Sequence, residues 1–120
     1  MTVFVRKSAE HLNRGIVNMI EAMIEDYAMF MAPDNEVRKN MNKRFSDSFV
    51  EKIGSKYIKI ISNDSVTAFI VKTDKDKKFK KGDILFPAGW AAPARNKARG
   101  NILDGNYPIQ WTGPLYLRGG

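Results

Sequence analysis

The chain contains no cysteine. Disulfide scaffolds, thiolate metal sites and thiol nucleophiles are therefore excluded. It has a single histidine, His11, which excludes a multi-histidine metal centre and leaves little material for proton shuttling. No apolar run approaches the roughly 20 residues of a membrane span. The opening MTVFVRKSAE lacks the apolar core of an export signal, so the cytoplasm is the expected location. Acidic groups are scarce too: thirteen Asp and Glu face twenty Lys and Arg, a net charge of +7. What is present is a globular balance of 43% hydrophobic and 28% charged residues over 120 positions. That composition describes one domain, residues 1–120, able to bury its own core.

Catalytic signatures are missing as well. His11 stands alone near a helix start and reads as a surface or capping residue. Glu21, Glu25 and Asp26 form a run of carboxylates that reads as a solvated helix face; to hold a cation they would need help from elsewhere. Asp74, Asp76 and Asp83 alternate with lysines and temper that run. Lys80-Lys81-Gly82-Asp83 lacks the glycine pattern of a phosphate loop and reads as a turn. A nuclease built on Asp83, Asp104 and a lysine has no distinguishing pattern in a chain this rich in charge. The reading is a non-enzymatic protein without cofactor or metal.

Hydrophobic spacing gives the architecture. Leu12, Ile16, Met19, Ile20, Met23, Tyr27 and Phe30 recur every three or four residues, flanked by Val17, Ile24 and Met31. Residues 9–31 are expected to form one amphipathic helix, with Ser8 as N-cap and Ala32-Pro33 as the stop. Its apolar arc can cover the domain's own sheet or pack on a second copy, a homodimer through residues 9–31. Five of the six methionines lie in residues 19–41, and methionine suits adaptable interfaces. Asp34 is a second cap candidate. Val37, Met41, Phe45, Phe49 and Ile53 follow, with Gly54 as a C-terminal cap. This predicts one helix over 34–53, or two shorter ones meeting near Phe45, where Ser48 and Glu51 have capping-box spacing. Arg38, Lys39, Lys43 and Arg44 on it read as a solvated face.

From residue 56 the pattern changes to strands. Residues 57–61 and 66–71 are β-branched and aromatic runs, and Ser62-Asn63-Asp64-Ser65 between them is turn chemistry, so they form an antiparallel hairpin. Further strand candidates are Ile84-Leu85-Phe86, ended by Pro87, then 109–112 and 115–117. The fold class is α+β: N-terminal helices in residues 8–53 packed on a small curved antiparallel sheet in residues 56–118. That sheet closes into a partial barrel if Gly82, Gly89 and Gly113 supply corners.

The positive charge is uneven. Residues 1–60 carry ten basic and eight acidic groups; residues 61–120 carry ten and five. Six lysines fall within residues 72–81. Residues 86–106 form a long segment without strand pattern, and such segments in compact domains usually carry function. Trp90, Ile102 and Leu103 are its apolar anchors. Arg95, Lys97 and Arg99 alternate, which in an extended segment places them on one side. The candidate nucleic-acid-binding residues are Lys75, Lys77, Lys78, Lys80, Lys81, Arg95, Lys97 and Arg99 on phosphates, with Trp90 as a base-stacking group. The opposing structural reading keeps Trp90 and Trp111 in the core.

The stretch KKGDILFPAGWAAPARNKARGNIL, followed by WTGPLYLRGG, resembles the C-terminal part of small accessory proteins of unknown function encoded by tailed bacteriophages. The similarity covers residues 80–120. It implies a host-cytoplasmic location and supplies no catalytic residues. The expected function is contact with nucleic-acid backbone, DNA or RNA, without membrane association. The alternative is a protein-interaction module, a virion component or an inhibitor of a host enzyme, anchored by the Met-rich helix or the Trp90 loop.

Overall fold

The computed structural model describes residues 2–31 and 35–115. Ala32-Pro33, the Asp34 cap, and Tyr116 and Leu117 of the last strand candidate lie outside them. Along the chain run strand β1 (Val3–Val5), helix α1 (Leu12–Phe30), helix α2 (Glu36–Asp47) and strands β2 (Val50–Ile53), β3 (Tyr57–Ser62), β4 (Ser65–Val71), β5 (Ile84–Leu85) and β6 (Tyr107–Ile109). Two antiparallel sheets result, one ordered β2-β3-β4-β5 and a ribbon of β1 and β6. The α+β class is as expected. The sheets are not closed into a barrel: among the described residues β1 and β6 pair only with each other, and β2 is an edge of its sheet. Gly82 and Gly113 do turn the chain at positive φ, but in loops and not at sheet corners.

Helix α1 follows its apolar spacing. Ile16, Met19, Met23 and Tyr27 are buried on one side, while Arg14, Glu21 and Glu25 face water. Its cap is His11 and not Ser8: the His11 Nδ1 accepts the Arg14 N–H at 3.4 Å. The helix starts late because the chain before it is held elsewhere, with the Ala9 N–H donating to the Leu103 carbonyl at 2.9 Å. Gly15 sits inside the helix because the turn at Ile102 presses on it. A Cβ there would lie 2.8 Å from the Ile102 carbonyl oxygen. The methionine-rich stripe serves the chain's own core, where Met19 and Met23 are fully buried beside Ile60, Ile70 and Tyr107. Asp26 departs from the expected solvated acidic face. It is fully buried, and its Oδ2 accepts the Trp111 backbone N–H at 2.8 Å. Trp111 then packs with Tyr27, Phe30 and Phe45.

Helix α2 is capped by Asn35, whose Oδ1 accepts the Arg38 N–H at 3.0 Å. It ends at Asp47, so the expected helix over 34–53 is corrected: residues 50–53 are strand β2. Ser48 starts no new helix. Its hydroxyl donates to the Phe45 carbonyl at 2.7 Å and accepts the Asn63 N–H at 3.1 Å, tying the helix end to the β3–β4 turn. Val-Glu-Lys-Ile then finds the free edge of β3, and Gly54 turns the chain, its N–H donating to the Tyr57 carbonyl at 2.8 Å. The β3–β4 hairpin is as expected. Asn63 and Asp64 at its tip both have positive φ, the turn that matches strand twist.

The four-stranded sheet is covered on both faces. On the inner face Ile58, Ile60, Ala68, Ile70 and Ile84 meet α1. On the outer face Phe69, Val71 and Leu85 meet Phe79 and Ala98, which lie on the loops 72–81 and 86–99. The outer cover reaches β4 and β5; β2 is exposed along its length.

Candidate functional site

The uncovered part of the outer face carries the site. Strands alternate their side chains, so Lys59 projects outward between the buried Ile58 and Ile60. In register beside it stand Lys52 on β2 and Phe69 on β4. Two lysines directly opposite one another repel and weaken the pairing of their strands. An indole offsets this. The segment after β5 makes a tight turn, in which the Ala88 and Gly89 N–H groups donate to the Ala92 carbonyl at 3.0 and 3.2 Å. Trp90 stands in that turn with 53% of its surface exposed. The Lys59 ammonium lies 4.9 Å from a Trp90 ring centroid and 5.7 Å from that of Phe69; the Lys52 ammonium lies 6.0 Å from Trp90. Each such contact is worth about 0.5–1 kcal/mol at an exposed site.

A groove of about 380 Å³ opens here, lined by Lys52, Lys56, Tyr57, Lys59, Phe69 and Ala91 among others, with no carboxylate in its wall. A second groove of about 430 Å³ shares Ser55 and Lys56 with it and adds Lys75, Lys77, Arg95 and Asp76. Asp76 is spent on structure. Its Oδ1 accepts the Arg95 Nη2 at 3.0 Å, the Lys78 N–H at 2.8 Å and the Phe79 N–H at 3.0 Å. The Arg95 hydrogen bond, then the two backbone donors, hold the Asp76 carboxyl well below the usual carboxylate range. Arg95 also donates to the Tyr57 hydroxyl at 2.5 Å and lies over the Phe79 ring at 4.9 Å. Its pKa is raised, first by Asp76 and then by Tyr57. The pairing ties Tyr57, in the wall of the first groove, to Arg95 in the wall of the second.

The nine sequence-derived residues separate accordingly. Lys75, Lys77 and Arg95 line the second groove. Trp90 stands beside the first, over Lys59 and Lys52, which sequence reasoning passed over. The Lys78 ammonium donates to the Arg95 carbonyl at 2.6 Å. Lys80 pairs with Asp104 at 2.6 Å, which raises its pKa, so part of its charge is already matched. Lys81 and Lys97 are exposed and line neither groove. Arg99 is half-buried over the Phe86 ring at 5.1 Å, and burial lowers its pKa. Asp83 accepts the Asn101 amide at 2.9 Å and the Lys80 N–H at 3.0 Å, closing the expected turn at residues 80–83. Among the described residues no group of three His, Asp or Glu could hold a metal ion, and no helix is long and apolar enough to cross a membrane.

The missed residues are Lys52, Lys56 and Lys59. Lys59 had a signal, its outward position in an alternating strand. Lys52 had none, because residues 34–53 read as helix.

The arrangement gathers three lysines and the hydroxyl-bearing Ser55 and Tyr57 around one recess without a carboxylate in its lining, with an exposed indole beside it. No curated protein and no solved structure matches the chain. The model of one family does match, over residues 4–117, nearly the whole length. The chain belongs to that family, a family of unknown function designated DUF7717.

Proposed function

We propose that the chain is a non-enzymatic accessory protein that contacts nucleic-acid backbone through the outer face of its four-stranded sheet. One observation carries the reading: a groove with Lys52, Lys56 and Lys59 in its wall, no carboxylate, and Trp90 beside it. Uncompensated cations gathered in a concave surface focus field on a polyanion, and phosphates bound there release counterions. Lys75 and Lys77 continue the positive lining into the adjoining groove. The resemblance of residues 80–120 to tailed-phage accessory proteins supports a phage origin and a host-cytoplasmic setting.

Salt dependence tests the reading. Binding of a labelled oligonucleotide is measured at several salt concentrations for the wild type and for Lys52→Ala, Lys56→Ala, Lys59→Ala combined. Removing one phosphate-bound lysine flattens the slope of log K against log salt by about one unit. The triple variant should therefore show a slope shallower by up to about three units, while Lys80→Ala with Lys81→Ala changes it little. An unchanged slope in the triple variant overturns the assignment.

Exposed Phe30 and Val37, at 54% and 67%, support a second reading: a protein-interaction module, as a virion component or an inhibitor of a host enzyme. A stoichiometric protein partner that survives nuclease treatment of the lysate favours it.

A further inference from the structure

We infer that the ligand of the Trp90 groove is single-stranded nucleic acid, one base of which stacks on the Trp90 indole. The inference rests on the polyanion reading above and narrows it. Trp90 is held out by the 88–92 turn and half exposed, and the cations on its ring come from the sheet beneath. An indole presented this way offers a flat apolar face, and only a base outside a duplex stack can lie on it. A double helix keeps its bases paired and stacked, and reaching one means unstacking it at an energetic cost.

The cations fit the same occupant. Lys52 and Lys59 now stand on the ring, and Lys56 links their groove to the one holding Lys75 and Lys77. A flexible strand can lower its phosphates into such recesses, whereas a rigid duplex rides on the rim. Stacking of a base on an aromatic ring is worth more than an exposed ammonium–ring contact. The incoming base therefore displaces the Lys59 ammonium from the indole, and the freed ammonium meets the phosphate beside that base. One exchange fills both roles. With Phe69 behind Lys59 and Tyr57 pinned by Arg95, the groove floor stays in place while this happens.

The test uses the full chain and two probes of equal length, a labelled oligothymidylate and the same strand paired with oligodeoxyadenylate. Binding of each is followed by fluorescence anisotropy at one salt concentration. The wild type should bind the single strand about tenfold or more tightly than the duplex. Trp90→Ala should weaken the single strand by about tenfold and leave the duplex unchanged, and Trp90→Phe should restore most of the loss. Trp90 is exposed, so neither change threatens the core. Equal affinity for the two probes, or a Trp90→Ala loss shared by both, overturns the inference while the backbone-contact reading stands. Salt-dependent binding to neither probe removes that reading, and the inference with it.

Discussion

Two rows of side chains cross the four-stranded sheet next to each other, one on each face. The inner row is Ile53, Ile58, Ile70 and Ile84; the outer row is Lys52, Lys59, Phe69 and Leu85. They share strands and register and differ by one position along each strand. Both are dry at the β5 end, where Ile84 and Leu85 are fully buried, and both open toward β2, where Ile53 is 69% exposed. What separates them is the cover. Helix α1 covers the inner face over β3, β4 and β5 as a continuous apolar layer and leaves Ile53 on β2 open. The outer face is packed under two loops over β4 and β5, and beyond them Trp90 and Arg95 reach Lys59, Lys52 and Tyr57, so its β2–β3 half can carry charge without any cation being stranded in the core. Core packing and the proposed ligand contact are thus placed one residue apart on the same strands, and alternation of the strand keeps them from interfering.

The widest gap between the rows should appear on truncation. Ile70→Ala leaves a cavity in a fully buried position and should cost about 2–5 kcal/mol, read as a lower urea midpoint. Lys59→Ala, on the adjacent strand but in the outer row, loses two ring contacts and sheds the repulsion from Lys52, so it should cost less than about 1 kcal/mol. Comparable losses would mean that the outer row is structural and that the division of labour is wrong.

The second prediction concerns how the outer cover is held. Asp76 gathers Arg95 and two backbone N–H groups, and its carboxyl is depressed by them. An unfolded carboxylate of this kind titrates near about 3.9. Stability from a depressed carboxylate is fully present above that value and is lost as pH falls toward the folded-state value. The wild type should therefore lose more stability between about pH 6 and about pH 3 than Asp76→Asn does. Equal acid limbs for the two proteins, measured by urea unfolding at each pH, would show that the loops do not depend on this ion pair.

The inner row was largely legible from sequence and the outer row was not. The period-two run around Ile58 and Ile60, with Asn63-Asp64 turn chemistry, is local information, and the 3–4 spacing of Ile16, Met19 and Met23 is too. Strand β2 was hidden because Val-Glu-Lys-Ile suits a helix as well as a strand; the free edge of β3 decides, and nothing within residues 48–54 announces it. Asp26 was misread for the same reason: the N–H that buries it comes from Trp111, 85 residues on. The candidate site combines both problems. The basic and aromatic composition of residues 72–99 was visible, but which cations reach Trp90 depends on a loop folding back over a strand roughly thirty residues earlier. The lysines that meet the indole are therefore those of the sheet and not those of the lysine run, of which Lys80 is already paired with Asp104.

The smallest effect separates the rows most sharply. Lys52 faces Lys59 across β2 and β3, an arrangement that weakens strand pairing. Lys52→Glu converts the pair into one of opposite charge and should stabilise the fold by about 0.2–1 kcal/mol. The same change removes one groove cation and neutralises another, so oligonucleotide affinity should fall and its salt slope should flatten by about two units. A variant that is more stable and binds less would place the cost of the lysine pair on the side of function: the repulsion persists in the fold because the cations serve the ligand. A variant that loses stability would instead mean that the two ammonium groups on Trp90 hold the loop to the sheet, and the outer row would then be structural at its wet end as well as its dry one.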